Sequence, residues 1–245
     1  MIDLNADLGE GFLFDEELMT MISSCNVACG GHTGNENSMR STVRLAIKHK
    51  VTIGAHPSYP DPLHFGRKEM EIPHNLLKNS IQQQIYHLID IARQEGTVVR
   101  YIKPHGALYH KANTDEDMAE LMVDIVKNIE PSVALMGLSG SLLEKKSKEN
   151  YLMFIREGFA DRAYQQNGVL LSRSNPKALI TKKEKVWHQV SQMIHHQQVQ
   201  TFDDQNIIMK VDSICFHGDH PDTIEILKYV KNQFLKNKIS IKNVV

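Results

Sequence analysis

An α/β fold whose parallel sheet closes into a barrel is the class this sequence predicts, on three observations. Short apolar runs alternate with amphipathic stretches in a strand, turn, helix order that repeats about seven times. Six of the runs end at or near a polar residue fit for chemistry, as strands do when they deliver side chains to one rim. No linker, fixed-period repeat or low-complexity tract interrupts the pattern, so residues 1–245 read as a single (β/α)-barrel domain.

The first element is Ile2 to Leu8, a short buried strand running into Gly9, Glu10 and Gly11. Ending a core strand in Asp7 and Glu10 gains nothing for packing, whereas a site at the carboxyl ends of parallel strands uses them. Asp15 to Ser23 has helical spacing, with Leu18, Met19 and Ile22 on one face. Ser24 to Cys29 is the second strand, and a glycine-rich turn, Gly30 to Asn35, opens the helix Glu36 to Lys50. Val51 to Ala55 is a strand ending in His56 and Pro57, followed by a loop, Ser58 to Arg67, with the turn residues and length of a functional segment.

Pro73 starts a long helix that Gly96 closes. Val98 to Lys103 is the fourth strand, leading into Pro104-His105-Gly106-Ala107-Leu108-Tyr109. The spacing then predicts a helix over Asp115–Ile129, a strand over Val133–Gly137, a helix over Gly140–Lys148 and a strand over Leu152–Arg156 ending at Glu157. An amphipathic helix, Lys182 to His196, precedes strands at Ile207–Val211 and Ser213–Phe216, the second ending at His217-Gly218-Asp219. A helix from Pro221 to Leu235 and a basic tail complete the order.

Composition excludes several functions. Apolar residues make up 41% and charged residues 23%, and 28 basic against 29 acidic residues leave a net charge of −1, so no nucleic-acid or membrane-surface role is expected. There is no apolar run near membrane-spanning length and no signal peptide. Three cysteines, Cys25, Cys29 and Cys215, are too few for a disulfide scaffold and fit a reducing cytoplasm.

The six strand-end residues are Asp7, His32, His56, His105, Glu157 and His217. Each alone reads more readily as a hydrogen-bonded structural residue; six in register on one rim read as a site. Amide groups at Gly30 and Gly31 suit a carboxylate or oxyanion, with a tight turn as the equal alternative. Lys103 points to the barrel interior or its wall and suits charge stabilisation. Arg67 and Arg162 pair with an acidic substrate or, somewhat more readily, with Asp61 and Asp161. Cys29 reads as a small buried residue and the helix histidines His87, His188, His195 and His196 as solvated or partly packed. Asp7, His56 and His105 also make an Asp-His-His set for zinc, manganese or another divalent ion. Neither the phosphate-loop pattern nor a dinucleotide fingerprint is present.

Six stretches carry a resemblance: Asp3-Leu4-Asn5-Ala6-Asp7-Leu8-Gly9-Glu10, Asn26-Val27-Ala28-Cys29-Gly30, Gly54-Ala55-His56-Pro57, Lys103 to Tyr109, Phe159-Ala160-Asp161-Arg162 and Cys215-Phe216-His217-Gly218-Asp219. In this order, across essentially the whole chain, they resemble the LamB/YcsF family. The resemblance implies an irregular seven-stranded (β/α) barrel like that of the polysaccharide deacetylases. It also implies an activity, that of the A subunit of an ATP-dependent 5-oxoprolinase. In that reaction 5-oxoproline, ATP and water give glutamate, ADP and phosphate, with the 5-oxoprolinase B and C subunits as partners. Mg would accompany ATP. Where the family has Gly-Phe-His-Ala-Gly-Asp after the second strand, this chain has Gly30-Gly31-His32-Thr33-Gly34-Asn35, an amide in place of a carboxylate.

The expected site has Asp7, Glu10, His32, His56 and His105 as its floor. Glu157, Asp161, Arg162, His217 and Asp219 stand on the opposite rim, with Lys103 as a charge stabiliser. Gly30, Gly31, Asn35, Arg67 and Tyr109 serve substrate or oxyanion binding. A stand-alone metal-dependent deacetylase or amidohydrolase, and a non-catalytic lactam-binding protein within the complex, are the alternative readings.

Overall fold

Strand β1 (Asp3–Leu8) alternates acid or amide with apolar residues, and the fold follows from that period of two. Leu4, Ala6 and Leu8 face outward into the main apolar core, while Asp3, Asn5 and Asp7 face into a barrel. The computed structural model describes residues 1–129, 133–218 and 222–245. The barrel continues with β2 (Ser24–Ala28), β3 (Thr52–His56), β4 (Val99–Ile102), β5 (Ala134–Leu138) and β6 (Phe154–Phe159). After an antiparallel pair outside it, β7 (Gln198–Gln200) and β8 (Asn206–Ile208), the last strand β9 (Ser213–Cys215) pairs with both β6 and β1. The seven barrel strands are parallel throughout, and the ring closes in the order β1-β2-β3-β4-β5-β6-β9.

Helices α1 (Asp15–Met19), α2 (Glu36–His49), α3 (His74–Gln94), α4 (Gly106–Thr114), α5 (Glu116–Ile129), α6 (Leu142–Glu149), α7 (Lys183–His196) and α8 (Thr223–Lys236) connect the strands. Each buries one stripe. On α3 that stripe is Leu77, Ile81, Ile85, Leu88 and Ile91, at helical spacing, and each such burial stabilises by about 1.5–3 kcal/mol. No helix among the described residues is long and apolar enough to cross a membrane.

Four expectations needed correction. Helix α1 stops at Met19 rather than Ser23, because the Thr20 amide and hydroxyl both turn back to the Glu17 carbonyl. Residues 106–114, given no element of their own between the fourth strand and the helix expected from Asp115, form α4. Strand β6 runs to Phe159, so Glu157 sits inside the strand; Arg156, which reads as its polar end, faces outward to a bidentate pair with Asp212. The expected strand at Ile207–Val211 is β8, in the hairpin outside the barrel. The expected helix start at Pro221 lies outside the described residues; α8 is seen from Thr223.

The lower half of the barrel is apolar. Tyr101, Ala134, Met136 and Ile155 cluster inside it, and Val244 and Val245 pack against them. A Cβ at Gly54 would lie 2.2 Å from the Tyr101 ring, so glycine is what lets this ring cross the barrel. The tail expected only to be basic is tied to the strand starts: the Ile2 amide donates to the Ser240 carbonyl, and Asn243 donates to the Thr52 hydroxyl. The chain end thus covers the amino-terminal mouth.

Candidate active site

Above the apolar plug the interior turns polar. Asp3 accepts hydrogen bonds from the hydroxyls of Ser23, Ser24 and Ser213, although burial still pushes its carboxyl above the usual range. Asn5 donates to Ser213, and Asn26 donates to both Asn5 (2.8 Å) and Asp7 (2.7 Å). Tyr101 holds Asn26 from below through its hydroxyl, at 2.7 Å.

Lys103, one residue past β4, is the buried cation of this layer. Its Nζ lies 2.8 Å from Asp7 Oδ1 and 2.8 Å from Glu157 Oε1, with Cys215 Sγ at 3.4 Å. Burial opposes an ammonium, but Asp7, Cys215 and Glu157 together hold its pKa well above the ordinary range. The converse holds for Asp7: burial would raise it, and His56 and Lys103 outweigh burial and keep it ionised. An ion pair this deep is stabilising only because each charge has its partner.

Three histidines meet beside Asp7. His56 donates from Nδ1 to the Lys103 carbonyl at 2.8 Å, and His105 donates from Nε2 to the Phe65 carbonyl at 3.0 Å. Their remaining ring nitrogens, His56 Nε2 and His105 Nδ1, face each other at 3.0 Å. His32 stacks flat on His105, with centroids 3.6 Å apart, and its Nε2 meets Glu10 Oε1 at 3.0 Å. Burial, reinforced by His56 and His32, pushes His105 well below the ordinary imidazole range, so its ring is neutral. Phe65 stands at φ +55°, and the neighbouring loop touches α4: the Ala107 amide donates to the Gly66 carbonyl, which a Cβ on Gly106 would meet at 2.5 Å.

The opposite wall comes from the turn after β6. Gln189 on α7 pins this turn by donating to the carbonyls of Phe159, Ala160 and Arg162. Asp161 in turn accepts both the His217 amide (3.0 Å) and His217 Nδ1–H (2.9 Å). Burial would raise the Asp161 carboxyl, yet His217 and Arg162 bring it below its usual value. Floor and wall enclose a cavity of about 430 Å³, also lined by Arg67, Arg162, Arg173, Tyr109 and His110. Burial, with Arg162 and Arg173 nearby, pushes the His110 imidazole down to about 4. Glu157 Oε1 is held by the Lys103 ammonium at 2.8 Å, and the Tyr109 hydroxyl stands beside the same carboxyl group.

Of the expected residues, Asp7, Glu10, His56, Lys103, His105, Arg67, Tyr109, Arg162 and His217 line the cavity. His32 and Asp161 stand behind it, holding Glu10 and His217. Glu157 belongs to the floor with Lys103, not to the rim. Gly30, Gly31 and Asn35 are not among the lining residues. The Gly30 amide closes a turn onto the Thr33 carbonyl, and the backbone of Gly31 packs against Ser58 and Gln84. Exposed Asn35 forms a capping box with Ser38 at the start of α2, a role an aspartate fills equally well. Asp219 lies outside the described residues. Cys29 is a buried thiol pushed up to about 12 by burial, as expected of a packing residue. Asn5, Asn26, Arg173 and His110 were missed. The first two carried a signal, the polar alternation of β1 and β2; the last two, on a loop and a helix, carried none.

A parallel barrel with carboxylates, histidines and a buried lysine gathered at its carboxyl-terminal mouth defines a (β/α)-barrel protein with its polar groups at that mouth. The chain belongs to the LamB/YcsF family, which matches residues 2–245. It is 42% identical over 240 residues to proteins named as the A subunit of 5-oxoprolinase from Haemophilus influenzae strains PittEE and 86-028NP, covering 98% of each chain. Among solved structures it is similar to the lactam utilization protein of Thermus thermophilus, with TM-score 0.91, 32% identity and 98% of both chains covered. A family 4 carbohydrate esterase from Streptomyces lividans, with TM-score 0.52 and 9% identity over 100% of this chain and 92% of that one, shares the fold.

Proposed function

We propose that this chain is the A subunit of an ATP-dependent 5-oxoprolinase, and that its cavity holds 5-oxoproline while the lactam C–N bond is hydrolysed to give L-glutamate. The observation that carries this reading is one cavity with arginines Arg67, Arg162 and Arg173 in its lining and a carboxylate–histidine floor. 5-Oxoproline presents the matching pair of groups, a carboxylate for a guanidinium and a small cyclic amide for the floor. The name of the Thermus thermophilus relative, a lactam utilization protein, and the 5-oxoprolinase in the names of the Haemophilus influenzae relatives support the same substrate class.

The reaction consumes two waters. Transfer of a phosphoryl group from ATP to the lactam oxygen makes the ring carbon electrophilic. One water adds there and the C–N bond breaks, leaving an acyl phosphate; a second water releases phosphate. His217 is the proton carrier in this reading. Asp161 occupies Nδ1, so Nε2 holds the lone pair, takes the proton of the attacking water and returns it to the departing nitrogen. Lys103 keeps Asp7 and Glu157 fixed beneath the ring. ATP, with Mg, and the B and C subunits are assigned to the complex.

The test is glutamate release from 5-oxoproline and ATP by this chain with and without the B and C subunits. Release only with both partners is expected. Release by the chain alone would favour the stand-alone amidohydrolase, and no release in any combination would overturn the assignment.

A further inference from the structure

His56 Nε2 and His105 Nδ1 pose a problem of hydrogen bonding. Each ring has its other nitrogen committed to a carbonyl oxygen, which accepts and cannot donate. Were both rings neutral, two lone pairs would face each other 3.0 Å apart in a buried place. Two acceptors at this separation repel unless something positive lies beside both. Asp7 Oδ2 stands 3.5 Å from His56 Nε2, and Glu10 Oε1 stands 3.4 Å from His105 Nδ1 and 4.0 Å from His56 Nε2. Those neighbours bring further lone pairs and no proton. Asp7 and Glu157 flank the Lys103 ammonium, and Glu10 adds a further carboxyl group beside His105.

We propose that Asp7, Glu10, His56 and His105 form a divalent-cation site, through Oδ2, Oε1, Nε2 and Nδ1 respectively. The four donor atoms lie within 4.8 Å of one another. Donors ~2.0–2.2 Å from a shared ion are roughly 3–4 Å apart, and the His56–His105, Asp7–His56, Glu10–His105 and Glu10–His56 separations fall in that range. Two imidazoles and two carboxylates suit zinc, manganese or cobalt rather than a soft thiolate-seeking ion. The outer contacts are those that orient metal ligands. Carbonyls of Lys103 and Phe65 hold the rings, Lys103 Nζ takes the other oxygen of Asp7, and His32 holds Glu10. A bound cation would supply Lewis acidity at the floor of the cavity.

The site does not depend on the substrate named above, and its test reads metal rather than turnover. The full chain, purified without chelator, is assayed for metal by mass spectrometry. After stripping with dipicolinate it is titrated calorimetrically with Zn²⁺, Mn²⁺ and Co²⁺, and the visible spectrum of the cobalt form is recorded. One equivalent per chain is expected, with cobalt bands of a nitrogen–oxygen site. E10Q, at a partly exposed ligand, and H105Q should weaken binding at least ~100-fold with circular dichroism unchanged. If H105Q misfolds, E10Q carries the test. A folded chain that takes up none of the three metals would overturn the site, leaving a proton shared between the rings. Stoichiometric uptake unaffected by E10Q would also overturn it. Uptake without 5-oxoprolinase activity would remove the functional reading and leave the site; activity without uptake would do the reverse.

Discussion

Asp161 holds His217 twice, once through the ring Nδ1 and once through the backbone amide, so that one carboxylate sets both the position and the tautomer of the imidazole. D161N in the assembled complex should lower kcat by at least ~100-fold and leave KM nearly unchanged, because an amide can present its NH₂ to Nδ1 and turn the lone pair away from the cavity. Steady-state kinetics on 5-oxoproline check this. An equal loss in KM alone would make Asp161 a structural residue.

Removing the buried ammonium should cost stability as well as activity. K103M leaves Asp7 and Glu157 close together without their cation, and breaking such a pair costs about 3–5 kcal/mol. Urea unfolding of the isolated chain measures the loss. A change near zero would show that the two carboxyl groups take up protons when the lysine is gone.

Gly54 should be intolerant of even one methyl group. G54A forces the Tyr101 ring or strand β3 to move, at a cost of about 1–3 kcal/mol, read as a fall in Tm. A variant as stable as wild type would mean that the ring repacks freely.

A surface network sets an acid-side dependence. Arg44 and Arg40 bind Glu95 and bring its carboxyl down to about 2. A depressed carboxylate stabilises the fold fully above its unfolded pKa, and the contribution is lost as pH falls through the folded value. E95Q should therefore melt below wild type at neutral pH, and the two curves should converge as pH is lowered from the ordinary glutamate range toward 2. Parallel melting curves throughout would show that the network adds nothing.

The barrel was legible because strand–turn–helix alternation is a chain-wide property, and each of Asp7, His56 and His105 follows directly from a strand end. Boundaries were less legible where side-chain chemistry overrides local pattern. Arg156 and Glu157 look like the polar end of a strand, yet one faces out to Asp212 and the other inward to Lys103, two contacts made with distant residues. Helix α4 was hidden because Pro104 and Gly106 punctuate a chain like a loop, and the glycine is there to pass Gly66 closely. The polar ladder of Asn5 and Asn26 was visible as alternation, but the partners that hold it, Ser213 and Tyr101, lie far along the chain. Asn35 illustrates the opposite error: it is close to His32 in sequence, but its side chain serves the start of a helix.

The tail that packs under Tyr101 and Ile155 makes the barrel a blind vessel. Among the described residues the cavity opens at the carboxyl-terminal mouth, so in the proposed reaction substrate, water and product use that mouth in turn. Any partner that settles over that opening governs not only what reaches the floor but also when the previous product leaves.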